Sequence, residues 1–268
     1  MSTFSAGSVP LIEQRLEGRV LIATLNRPEA ANGINADMAA ALEGLAGHLE
    51  REDGIQALVL TGKGRVFCSG GDVGAFKSAL AQADGAAQLP ALLDVLASRV
   101  HAALERIANA GPLLIAAVNG PATGAGLGLL CACDLAYARP GATLRAGFSR
   151  LRLSPDTATS YYLPRIIGYR RSLEMLLRGD AVTADAALQL GIYCELIDQE
   201  NELFVDEVLL RVQALIASGP AVAATRRLLR EGEHASLGEH LRREQSMLVG
   251  LAARPDVSAH IRKALGLE

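Results

Sequence analysis

Apolar residues fall along the chain in two kinds of run. Arg19–Leu25 (RVLIATL), Ile55–Thr61 (IQALVLT) and Leu113–Val118 (LLIAAV) are short and nearly unbroken, as strands buried on both faces are. Leu135–Ala138 and Ile192–Ile197 are shorter candidates. Between them the spacing changes to a helical period. Met38, Leu42, Leu45 and Leu49 share one face, with Asn35 placed to cap the helix. Leu93, Leu96, Val100, Leu104 and Ile107 stripe a longer helix that Gly111-Pro112 stops. Further helical patterns cover Thr157–Ile167, Arg170–Arg178 and Ala184–Leu190. Strands separated by helices imply right-handed crossovers and a largely parallel sheet, so the class is α/β. Beyond residue 200 only helical patterning remains, over Glu200–Ser218, Ala221–Leu229 and Leu237–Ala252. The chain therefore reads as a core over residues 1–200 and a helical C-terminal extension over 201–268, a segregation suited to packing on a partner subunit.

Composition removes several function classes. Of the 268 residues, 50% are hydrophobic and 21% charged, enough apolar material for a large core and against disorder. No apolar run approaches the roughly 18–20 residues of a membrane span. Aromatic residues make up only 4%, Trp is absent and the net charge is −3. That combination offers neither base-stacking platforms nor a basic field, so no nucleic-acid partner is expected. Cys68, Cys131, Cys133 and Cys194 show no paired zinc spacing, and Cys131-x-Cys133 reads as two small residues in an apolar segment. Met1–Pro10 has neither a basic stretch nor an apolar one, so a cytoplasmic, reduced location is expected.

The candidate chemistry lies in two glycine loops, each following a buried strand. One is Arg65-Val66-Phe67-Cys68-Ser69-Gly70-Gly71-Asp72; the other runs Asn119-Gly120-Pro121-Ala122-Thr123-Gly124-Ala125-Gly126-Leu127-Gly128. Ligands in open α/β sheets gather beyond the carboxyl ends of strands. Glycine there lets backbone N–H groups come close to a ligand. Two such loops side by side could aim two N–H groups at one oxygen, as an oxyanion hole; each alone could equally be a tight turn. Other chemistries fit poorly. Gly124-x-Gly126-x-Gly128 departs from the dinucleotide fingerprint, and neither a P-loop nor a GxSxG elbow occurs. Histidines 48, 101, 234, 240 and 260 lie in helical or polar stretches outside both loops, His48 and His101 reading as helix-surface residues. No metal site is expected.

These residues resemble the crotonase superfamily, the enoyl-CoA hydratase/isomerase fold. The resemblance rests on Leu25-Asn26-Arg27-Pro28, Asn32-Gly33-Ile34-Asn35, Leu58–Gly62, Phe67–Asp72, Ala116–Gly120 and Gly124-Ala125-Gly126 leading to Cys133-Asp134. Ser154-Pro155-Asp156, Leu163–Gly168, Leu176–Gly179 and Ala184–Ala187 follow in order. It implies a spiral of ββα units, with the helical tail used in a homotrimer or dimer of trimers. It implies an acyl-CoA thioester substrate, with coenzyme A carried by the substrate and no other cofactor. The oxyanion donors would be the N–H groups of Ser69 and Ala125, within a substrate-binding set of Arg27, Cys68, Gly70, Gly71, Asp72, Gly124, Gly126, Gly128 and Phe148. Asp72 fits a loop-fixing role, and Arg27, Lys63 and Arg65 are candidate contacts for the phosphates of coenzyme A or, equally, ordinary surface cations.

Hydratases of this family place two glutamates across the acyl group. The matching positions here are Gly128 and Phe148, and neither can move a proton. One carboxylate remains, Asp156 in Ser-Pro-Asp-Thr, where isomerases similar to those of the phenylacetate pathway place an acid–base Asp. A single carboxylate suffices to move a double bond, because it can take a proton from one carbon and return it two carbons away. Asp156 would equally suit the cap of the helix that follows. The expected activity is an enoyl-CoA isomerase. The alternatives are hydration, or another reaction of the family, by an unlocated acid–base group, and acyl-CoA binding without catalysis.

Overall fold

The three apolar runs form the centre of a six-stranded sheet. Our computed structural model describes residues 9–82, 84–232 and 235–267; residues 1–8 of the N-terminal stretch, and His234, lie outside them. Strands β1 (Ile12–Glu17), β2 (Val20–Leu25), β3 (Ala57–Gly62), β4 (Leu113–Val118), β6 (Leu135–Ala138) and β9 (Glu195–Leu196) lie in the order β1-β2-β3-β4-β6-β9. β1 and β2 form an antiparallel hairpin, and every later pairing is parallel. All six residues of β3 and of β4 are buried, which accounts for their unbroken apolar sequence. A second sheet joins β5 (Ala122–Thr123), β7 (Leu144–Arg145) and β8 (Ala181–Val182).

Helix α1 (Ala36–Arg51) connects β2 to β3. Asn35 caps it by accepting the Met38 N–H at 2.9 Å, and Met38, Leu42, Leu45 and Leu49 are buried. α2 (Val73–Leu80) and α3 (Gly85–Asn109) connect β3 to β4. α3 is fixed to α1 by two forked ion pairs. Arg99 Nε and Nη2 donate to the Glu43 carboxylate at 2.9 and 2.7 Å. Arg106 Nε and Nη2 donate to that of Glu50 at 2.8 and 2.5 Å. α4 (Ala125–Cys131), α5 (Thr159–Ile167), α6 (Tyr169–Arg178) and α7 (Ala184–Gln189) complete the core. The tail carries α8 (Asn201–Ile216), α9 (Ala221–Gly232), α10 (Leu237–Ala252) and α11 (Pro255–Ala264).

The chain divides into two compact units, Met1–Val212 and Gln213–Glu268, with the division inside α8. The first twelve residues of α8 belong to the first unit, where Phe204, Val208 and Val212 are buried. No single helix among the described residues is long and apolar enough to cross a membrane.

Candidate active site

β3 and β4 are parallel neighbours, so the two glycine loops leave the same edge of the sheet. Backbone bonds stitch them together: Phe67 N–H donates to Pro121 O at 3.1 Å and Thr123 N–H to Cys68 O at 2.9 Å. Glycine permits this approach at two points. A Cβ on Gly70 would stand 2.7 Å from Thr123 O, and one on Gly126 would stand 2.3 Å from Cys68 O. Two asparagines brace the first loop. Buried Asn32 donates through Nδ2 to Val66 O at 2.7 Å and accepts the Arg27 N–H. Asn119 accepts the Gly62 N–H and donates to Gly64 O.

Beside the joined loops lies a mostly apolar cavity of about 340 Å³. Its wall on one side is α3, presenting Leu93, Leu96, Ala97 and Val100 at helical spacing. Phe76, Phe148 and the Ser154–Thr157 turn close other sides. Of the residues singled out in the sequence, Ser69, Gly71, Gly124, Ala125, Phe148 and Asp156 line it. Arg27, Cys68, Gly70, Asp72, Gly126 and Gly128 do not.

Those six have other work. Gly70 and Gly126 let the loops meet. Cys68 is buried behind them with its thiol donating to Asn32 O at 3.2 Å; burial pushes the thiol up to about 12, which leaves it inert as a nucleophile. Arg27 Nη1 donates to Asp72 Oδ2 at 2.5 Å and to Gly33 O at 3.1 Å, so it is a strut rather than a free cation. Asp72 also caps α2 by accepting the N–H groups of Gly74 and Ala75. Burial alone would raise its pKa, but the Arg27 guanidinium and the two N–H donors outweigh burial and hold it below the usual value. Lys63 is paired with Glu13 at 2.7 Å. Arg65 is exposed, without a side-chain partner among the described residues.

The oxyanion donor expected from Ser69 needs correction. Its N–H donates to Ala31 O at 3.0 Å, across the loop. Of the two residues of this loop that line the cavity, Ser69 and Gly71, only Gly71 has an N–H with no acceptor among the described residues, although its neighbours Ile34 and Asp72 are both engaged. Ala125 is the first residue of α4, so its N–H has no partner within the helix. Gly71 and Ala125 both open on the cavity.

The position of Gly128 is corrected as well. It does not belong to the substrate-binding set, because the turn that carries Asp156 presses directly against it and shuts it off from the cavity lining. Asp156 does not cap α5, whose N-cap is Ala158 with no side-chain hydrogen bond. Its carboxylate instead meets His101 Nε2 at 2.5 Å and the Thr157 hydroxyl at 3.3 Å. Asp156 lines the cavity, and the side chains of both His101 and Asp156 are about half-exposed. Sequence reasoning missed His101, whose partner lies 55 positions away. It is aligned by α3, which the Arg99 and Arg106 pairs hold against α1. Among the described residues, no group of three or more His, Cys, Asp or Glu side chains converges in a way that could hold a metal.

A family profile described as enoyl-CoA hydratase/isomerase matches residues 15–263. The chain is 33% identical to a probable enoyl-CoA hydratase of Rhodobacter capsulatus, over 93% of this chain and 90% of the relative. It is 34% identical to the 1,2-epoxyphenylacetyl-CoA isomerase of Escherichia coli, over 71% of each. It is 36% identical to 4-chlorobenzoyl coenzyme A dehalogenase-2 of an Arthrobacter, over 62% of this chain and 58% of the relative. A crystal structure of an enoyl-CoA hydratase from Polaromonas superposes with a TM-score of 0.85 at 28% identity, covering 96% and 97% of the two chains. The α/β core with its helical C-terminal region is thus a crotonase fold, and the chain belongs to the enoyl-CoA hydratase/isomerase family.

Proposed function

We propose that the chain shifts a double bond in an enoyl-CoA thioester. The observation that carries this reading is that Asp156 is the only carboxylate among the residues lining a cavity that is also lined by Gly71 and Ala125, whose N–H groups have no acceptor among the described residues. Removing a proton from the acyl chain sends negative charge to the thioester oxygen. Two fixed N–H donors stabilise that charge, each contributing on the order of 10²–10³ in rate. Asp156 takes the proton from one carbon and returns it to another, so atoms balance without water. In this reading coenzyme A enters with the substrate, and exposed Arg65 is a candidate contact for its phosphates.

His101 favours a second reading. A carboxylate with an imidazole at 2.5 Å also forms a nucleophile–base pair. On an aryl thioester carrying chloride, an Asp156 oxygen bonds to the ring carbon and chloride leaves. His101 then takes a proton from water, which cleaves the aryl ester at the Asp156 carboxyl carbon and leaves a hydroxylated ring. The likeness to a 4-chlorobenzoyl coenzyme A dehalogenase supports this alternative. The same pair could supply a base and an acid for hydration.

The test is to incubate the purified protein separately with 2-enoyl-, 3-enoyl- and 4-chlorobenzoyl-CoA and to follow products by liquid chromatography and mass spectrometry. A product of unchanged mass and new retention is expected from the enoyl substrates. Added water would favour hydration, loss of chloride would favour substitution, and tight binding without product would favour a non-catalytic binder. Asp156→Asn should lower turnover about 10³-fold while acyl-CoA binding persists. Full activity in that variant overturns the assignment.

A further inference from the structure

Gly128 stands where hydratases of the family carry their first glutamate, yet no side chain could grow there. A Cβ would lie 2.2 Å from Thr157 O, 2.8 Å from Thr157 Cβ and 2.9 Å from Thr159 Oγ1. The space is filled by the turn that follows Asp156, and that turn is strained. Thr157 and Ala158 both have left-handed backbones, with φ of 52° and 55°, and a β-branched residue there is a true outlier. Such residues persist only where their surroundings over-determine them. Thr157 and Thr159 are fully buried. The hydroxyl and N–H of Thr159 both donate to Asp156 O, at 2.7 and 3.0 Å. The bare backbone of α4 at Gly128 is the floor on which this turn rests.

We propose that Gly128 is a positioning residue: by seating the Thr157–Thr159 turn it sets where the Asp156 carboxylate stands relative to His101 and the cavity. The inference rests on the reading of Asp156 as the working carboxylate. It also makes a glutamate at position 128 and the Asp156 turn sterically exclusive, so the two acid arrangements are alternatives within one space.

The experiment compares Gly128→Ala, Thr159→Ala and Thr159→Ser with wild type and with Asp156→Asn as reference. Circular dichroism reports folding, and the ring signals of ¹⁵N-labelled His101 at fixed pH report the Asp156 contact. Turnover is read on the CoA thioester that wild type converts. Gly128→Ala should carry the His101 signals toward those of Asp156→Asn. It should also lower kcat about 100-fold, the cost of a displacement of about 1 Å at a reacting group, with KM within about twofold because Gly128 does not touch the cavity. Thr159→Ala should move both readouts in the same direction and Thr159→Ser should move neither. If Gly128→Ala does not fold, the Thr159 pair decides. Unchanged His101 signals in Gly128→Ala, or in Thr159→Ala where Gly128→Ala does not fold, overturn the proposal, whatever happens to turnover. Full turnover in Asp156→Asn would overturn the functional reading instead, while the ring signals would still decide the role of Gly128.

Discussion

Asp72 joins three neighbours that fix the first glycine loop: the Arg27 guanidinium and the N–H groups of Gly74 and Ala75. Its native pKa lies below the ordinary aspartate value of 3.8, so its stabilising contribution is present above that value and is lost as pH falls through the native pKa. Asp72→Asn should therefore cost about 2 kcal/mol in urea denaturation at pH 7. The difference from wild type should shrink as the pH drops below 3.8, and a pH-independent difference would contradict this origin. At this scale the sequence is legible where a residue's partners are local. Asp72 as a loop-fixing group and Asn35 as a cap are of that kind. It is illegible where a long-range contact decides. Whether Ser69 or Gly71 offers a free N–H depends on Ala31 O lying across the loop. Whether Gly128 touches substrate or seats a turn depends on residues some 30 positions later.

Elements follow the same rule. β3, β4 and the buried face of α1 are visible in the apolar pattern because burial on one or both faces writes itself into the residue types. β1 escapes it, since five of its six residues are partly or wholly exposed. α2 hides in the glycine loop because it is short and its cap, Asp72, reads as part of the loop. The stripe on α3 reads as core, and part of it is: Leu96, Val100, Leu104 and Ile107 are buried. The same face from Leu93 to Val100 is also the wall of the cavity, which no period distinguishes from packing. α1 supports α3 and thus His101, so its own stability bears on the site. Asn35→Ala removes the side-chain acceptor of the Met38 N–H and should cost about 1 kcal/mol. By scanning calorimetry the midpoint should fall by about 2–4 °C in a chain of this size, with product formation unchanged. No shift would mean that the cap is replaced by water.

Across the whole molecule, the second unit cannot account for itself. Among its described residues only Ala224 is a buried apolar side chain, while Leu229, Leu237, Leu248 and Leu265 are each more than two-thirds exposed. A segment of this length needs a larger core than one alanine. We therefore propose that further copies of the chain cover these faces. Light scattering should give a mass that is a multiple of 28.1 kDa, lowered by Leu248→Asp; a monomer at all concentrations would refute this. Back in the core, the strained turn on Gly128 bears on how such a site can change its chemistry over time. No single substitution leads from this acid arrangement to the other, since a glutamate at 128 meets backbone before the turn has moved. Residues 128 and 156–159 form one exchangeable cassette. A library meant to alter the reaction must vary them together, and lineages that differ at one part of the cassette should differ at the other.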